Sequence, residues 1–89
     1  MAEISFAVKN KVGLHARPAS AFVREASKFK SEITVSYGDV QANAKSILNV
    51  LTLGVNQGAV IRIWAEGEDA DAALQALKAL NDSNYGEAE

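Results

Sequence analysis

The stretch Ile4-Ser5-Phe6-Ala7-Val8-Lys9-Asn10-Lys11-Val12-Gly13-Leu14-His15-Ala16-Arg17-Pro18-Ala19-Ser20-Ala21-Phe22-Val23-Arg24-Glu25-Ala26-Ser27-Lys28-Phe29 changes its hydrophobic period once. That change decides the fold. Ile4, Phe6 and Val8 alternate with Glu3, Ser5 and Ala7, the period of two of a half-buried strand. Residues 9–13 read as a loop. From Ala16 onward, Ala19, Phe22, Val23, Ala26 and Phe29 recur at helical spacing and form one apolar stripe. Pro18 does not break this helix. With His15 as N-cap, Pro18 falls in the first turn, where its missing N–H has no intrahelical partner to lose.

The rest of the chain continues the alternation of periods. Glu32–Tyr37 reads as a second strand, with Ile33, Val35 and Tyr37 on one face. Gly38-Asp39 is a turn, and Val40–Asn43 a short third strand. Ser46 starts a brief helix, Ile47–Leu53, that Gly54 ends. Ala59–Glu66 is the fourth strand, with Ile61, Ile63 and Ala65 facing inward and Arg62 and Trp64 on the opposite face. Asp69 is placed to cap a last helix whose core stripe is Ala73, Leu74, Leu77 and Leu80. The tail from Asn81 to Glu89 is polar and is expected to fray. The order βαββαβα implies an α+β domain over residues 1–89. It would be one four-stranded antiparallel sheet with three helices on one face and the other face wet.

Composition narrows the function. The chain has 89 residues, 48% of them hydrophobic, which suits one small core. It has no cysteine, which excludes disulfides, zinc–thiolate sites and thiol chemistry and, with no signal peptide, points to a reducing cytoplasm. No apolar run is long enough for membrane insertion. The net charge of −2 conceals a basic front and an acidic back: residues 1–30 carry +4 and residues 64–89 carry −6. That balance argues against nucleic acid as partner. The basic front suits a protein partner with an acidic surface.

The one histidine, His15, lies where a Gly-containing loop enters a helix. A helix start offers unpaired N–H groups and about half a positive charge. Ala16 and Arg17 supply backbone donors, and the Arg17 guanidinium adds a planar fork suited to phosphate oxygens. The positive field favours the neutral ring, whose free nitrogen lone pair is a nucleophile. This is an anion site with a nucleophile at its centre, and the chemistry it suits is phosphoryl transfer onto His15 and off again. There is no Walker loop or paired-carboxylate metal motif. The chain is therefore read as a carrier, not an enzyme, with no cofactor and no metal, taking the group from one protein and passing it to another.

A carrier needs a docking face. Arg17, Ser20, Arg24 and Ser27 form a stripe opposite the core stripe of the first helix. The short helix has more apolar residues than one face can bury: Val50 and Leu53 suit the core. Ile47, Leu48 and Leu51 have two readings, an exposed interface patch or additional core. Ser46 also has two readings, a simple N-cap or a phosphorylation site adding about −1.5 to −2 charge beside that patch. Trp64 is read as a lone aromatic on the open sheet face.

Lys11-Val12-Gly13-Leu14-His15-Ala16-Arg17-Pro18-Ala19 resembles the phosphohistidine motif of the HPr family, the histidine-containing phosphocarriers of the bacterial phosphotransferase system. Lys45-Ser46-Ile47-Leu48-Asn49-Val50-Leu51-Thr52-Leu53-Gly54 resembles that family's regulatory-serine signature. The resemblance runs over nearly the whole chain and implies an open-faced β-sandwich. It implies phosphorylation of His15 at Nδ1 with help from Arg17, with enzyme I as donor and sugar-specific IIA domains as acceptors. Where relatives use Ser46, it implies an HPr serine kinase/phosphorylase and a catabolite-control transcription factor. A monomer is the simplest state for such a shuttle. Three positions depart from common members. Val12 replaces what is often a small polar residue, and Ser27 and Asn49 stand where some relatives carry lysines. These departures shift weight to Arg17, Arg24 and the apolar patch.

Overall fold

The computed structural model describes residues 2–9, 13–83 and 85. Its elements are β1 (Ala2–Ala7), α1 (Ala16–Ala26), β2 (Glu32–Tyr37), β3 (Val40–Asn43), α2 (Ile47–Leu51), β4 (Val60–Glu66) and α3 (Ala70–Asp82). The strands form one antiparallel sheet in the order β1-β4-β2-β3. The alternation expected from the sequence sets the register: Ile4 lies opposite Ile63, which lies opposite Val35, and Val35 lies opposite Ala42. Ile33, Val35, Ala42, Ile61, Ile63 and Ala65 are buried from this face against the helices. From α1 come Pro18, Ala19, Phe22 and Ala26, and from α3 come Ala73, Leu74 and Leu77. Burying a side chain such as Phe22 contributes about 1.5–3 kcal/mol, so these stripes supply the main drive to fold.

The opposite sheet face is open. Arg62 is exposed there and its guanidinium lies 5.2 Å from the centre of the Trp64 ring, so the indole is half-buried under a cation–π contact. Arg62 Nε also reaches Glu3 at 3.5 Å across the β1–β4 pair. Tyr37 was read as sharing a strand face with Ile33 and Val35. It closes β2 opposite Val40, and both remain exposed.

Three local expectations are corrected. Helix α2 ends at Leu51, two residues early, because Leu53 and Gly54 turn back to the Val50 and Leu51 carbonyls, and the Thr52 hydroxyl donates to the Asn49 carbonyl at 2.6 Å. The chain beyond Leu80 is not a frayed tail as far as it is described. Asn81 is only 1% exposed: its Nδ2 donates to the Ala7 carbonyl at 2.9 Å and its Oδ1 accepts from the Lys9 N–H at 3.3 Å. Tyr85 is buried too, and burial pushes its phenol pKa up.

Asp69 stands at the N-cap position of α3 but does not cap that helix. Its carboxylate accepts from the Ser31 hydroxyl, from the Lys30 N–H at 2.8 Å and from the Ser31 N–H at 2.9 Å. It thus ties the α3 start to the turn between α1 and β2. Gly67 makes room for this knot, since a Cβ there would come within 2.8 Å of Ser31 Cα. The three donors, the Ser31 hydroxyl first, hold the Asp69 carboxyl down at about 2. An unfolded aspartate titrates near 3.9. The contribution is therefore complete above about pH 4 and is lost as the pH falls toward about 2, where the folded carboxylate also takes up a proton. Urea unfolding between these values is expected to show a steep loss of stability for the native chain and a shallower one for Asp69→Asn. Identical slopes would contradict this assignment.

Candidate functional site

The site is built where the loop from β1 enters α1. His15 occupies the N-cap position in extended conformation (φ −82°, ψ −171°), and its carbonyl accepts the first helical bond from the Ala19 N–H at 2.8 Å. Its side chain makes no capping bond and is exposed. The ring therefore stands beside the helix start without occupying the donors. Those donors are the Ala16 and Arg17 amides, which have no intrahelical acceptor. No acidic side chain lies in the first turn to compete for them. The side chains of Ala16 and Arg17 are exposed, while Pro18 is buried and anchors the turn.

The loop is anchored by its neighbours. Leu14 is buried and its N–H donates to the Val55 carbonyl at 3.0 Å. A hollow of about 290 Å³ opens beside the imidazole, lined by Leu14, His15, Ala16, Leu51, Gly54 and Val55. Val55 and Gly54 were not singled out from the sequence as site residues. Gly54 reads there only as the end of the short helix, and nothing local signals the contact of Val55 with Leu14. A larger hollow of about 490 Å³ lies away from His15, among Glu32, Thr34, Gln41, Asn43, Lys45 and Asn49. Its cation is already engaged, with Lys45 Nζ donating to the Phe29 carbonyl at 2.7 Å. The exposed ring beside the open helix donors, not the larger volume, is the candidate site.

Of the proposed docking residues, Leu51 lines the hollow beside His15. Arg17 and Arg24 are exposed on α1 and Ser20 is half-buried. On α2 the structure separates the two readings of the apolar residues: Val50 and Leu53 are buried, whereas Leu48 is 73% exposed and Ile47 and Leu51 are also exposed. Ser46 is the N-cap of α2. Its Oγ accepts from the Asn49 N–H at 3.4 Å and from Asn49 Nδ2 at 3.1 Å. Ser46 is half-buried and adjoins the exposed patch. Ser27 is exposed at the end of α1 and Asn49 is spent on the Ser46 cap, so neither adds charge to this face. Val12 and Lys11 lie outside the described residues. No helix among the described residues is long and apolar enough to cross a membrane, and they hold no cluster of three or more metal-ligating side chains.

Comparison with known proteins gives the family and the fold. Residues 2–83 match the family described as PTS HPr component phosphorylation site. The chain belongs to the HPr family. Phosphocarrier protein HPr of Mycoplasma capricolum is 51% identical over 78 residues, covering 88% of each chain. A crystal structure of HPr from Thermoanaerobacter tengcongensis superposes with a TM-score of 0.96 at 48% identity, covering all of both chains. A multiphosphoryl transfer protein of Vibrio cholerae is 49% identical over 86 residues, 93% of this chain and 22% of that protein. The open four-stranded sheet with three helices is thus the HPr fold, and the family's work is phosphoryl carriage in the phosphotransferase system.

The exposure of α2 has a direct consequence for stability. Leu48→Ala should change the unfolding free energy by less than about 0.5 kcal/mol, as for other surface sites. Leu53→Ala, which empties a buried site, should cost about 2–5 kcal/mol. Equal losses in urea titrations would return Leu48 to the core and remove the patch.

Proposed function

We propose that His15 Nδ1 is the atom that carries the phosphoryl group between two proteins. The observation that supports this is the exposed imidazole at the N-cap of α1, beside two backbone donors and the Arg17 side chain. Enzyme I, itself charged from phosphoenolpyruvate, is the donor, and sugar-specific IIA domains are the acceptors. The Nδ1 lone pair attacks phosphorus. As the new N–P bond forms, the bond from phosphorus to the donor nitrogen breaks and its electron pair returns to that nitrogen. The second transfer reverses these roles. On the ring, the phosphoryl oxygens would accept from the Ala16 and Arg17 amides and from the Arg17 guanidinium. Two amides and one guanidinium stabilise the group without enclosing it, which suits a carrier that must also release.

In this reading the chain performs no turnover of its own and works in the cytoplasm as a monomer. Partners seat on Ile47, Leu48 and Leu51, flanked by Arg17, Ser20 and Arg24. Ser46 is a point of control. A serine kinase would add a dianion beside Leu48, and an acidic partner docking there would be repelled. The same dianion would offer a catabolite-control transcription factor a charge to recognise.

Incubation with enzyme I and phosphoenolpyruvate should place one acid-labile phosphate on the chain, read by mass spectrometry, and none on His15→Ala. Arg17→Glu should slow transfer by at least about tenfold while unfolding changes by less than about 0.5 kcal/mol. Full labelling of His15→Ala would refute the assignment, and equal damage to rate and stability in Arg17→Glu would make Arg17 a structural residue.

A further inference from the structure

The His15 loop lies closer to the segment after α2 than any side chain would allow. A Cβ built on Gly13 would overlap the Val55 carbonyl oxygen and come within 2.6 Å of Asn56 Cα. Gly13 also has a φ of +64°, where L side chains are strained. The next residue, Leu14, donates its N–H to that same Val55 carbonyl at 3.0 Å. Upstream of the loop, the Val8 N–H donates to the Ala59 carbonyl and the Gly58 N–H donates to the Val8 carbonyl, both at 2.9 Å. One segment, 55–59, therefore grips the chain on both sides of the loop that delivers His15.

Segment 55–59 follows α2 after the short turn of residues 52–54, and the outer face of α2 is the exposed patch of Ile47, Leu48 and Leu51. The separation between the reacting ring and that patch is thus set through a contact with no room for a methyl group.

We propose that Gly13 is a positioning residue for transfer between proteins: lacking a Cβ, it lets the His15 loop seat on Val55 and fixes the imidazole relative to the docking face of α2. The inference rests on the reading of His15 as the phosphoryl acceptor. A partner held on α2 presents its phosphorus at one place, and the ring must already be there. A misplacement of about 1 Å can cost about 100-fold in rate. A small donor that diffuses freely makes no such demand.

The test compares two donors and two glycines. Gly38 is the control: its φ is +62°, so alanine there is equally strained, but its Cβ would meet nothing within 4 Å. Labelling of His15 is timed with enzyme I and with phosphoramidate, a small diffusible donor. Gly13→Ala should slow labelling from enzyme I by at least about tenfold while the phosphoramidate rate stays within about twofold. Gly38→Ala should match the native chain with both donors. Should Gly13→Ala fail to fold, a synthetic chain with an ester in place of the Gly13–Leu14 amide removes the N–H that donates to Val55 without adding a side chain, and the same split between donors is expected. Equal slowing with both donors, or no slowing with enzyme I, would overturn the proposal. A native chain that accepts nothing from enzyme I would overturn the carrier reading and this inference with it, and that failure shows before any variant is compared.

Discussion

The seat of one imidazole on the N-terminus of α1 is the constraint that the rest of the structure serves. A neutral ring is a nucleophile in any exposed position. What distinguishes His15 is that its backbone takes the N-cap position while its side chain leaves the helix donors alone. An N-cap residue such as serine or aspartate would spend its side chain on those same amides. Ser46 on α2 does so through Asn49. The two helix starts use the same geometry for opposite ends, one keeping its donors open and the other closing them. The open one suits an incoming dianion that the helix start stabilises only while it is there.

Holding that seat falls to the scaffold. Helix α1 is fixed from below by Phe22 and Ala26 against the sheet, and Pro18 closes its first turn against the core. The loop before it is pinned by main-chain bonds to Val55, Gly58 and Ala59 and, from the side of α3, by the Asn81 side chain. At the far end Asp69 ties α3 to the turn between α1 and β2. Both ties join segments distant in sequence, and at the buried Asn81 an unsatisfied amide would cost about 1–3 kcal/mol. The His15 loop and the exposed apolar residues of α2 are thus joined through one set of main-chain contacts.

Much of this was legible in the sequence, for reasons that can be named. The strand period through Val8 and the helical period from Ala19 need only short-range pattern, and the four strands and three helices follow from it. The exposed helix start that makes His15 a candidate site was legible because Gly13, His15, Arg17 and Pro18 are neighbours along the chain. The apolar residues of α2 were only half legible. Five such residues exceed one helix face, which already points Val50 and Leu53 inward, but only packing shows that Ile47, Leu48 and Leu51 stay exposed. Asn81 and Asp69 were misread because their partners are distant. A polar residue near a chain end looks like a tail, and an aspartate before a helix looks like its cap, until the amides of Lys9 and Ser31 are found against them. The bond from Leu14 to Val55 was illegible for the same reason.

In the proposed carrier the phosphoryl group, once on His15, rests against the open amides of α1. Proton–phosphorus NMR of the 15N-labelled phosphorylated chain tests it most directly. The amide protons of Ala16 and Arg17 should move strongly downfield and show coupling to phosphorus across the hydrogen bonds, while those around Ser46 stay in place. Phosphorylated His15 with unmoved Ala16 and Arg17 amides would show that the helix start takes no part in holding the group, and would contradict the account.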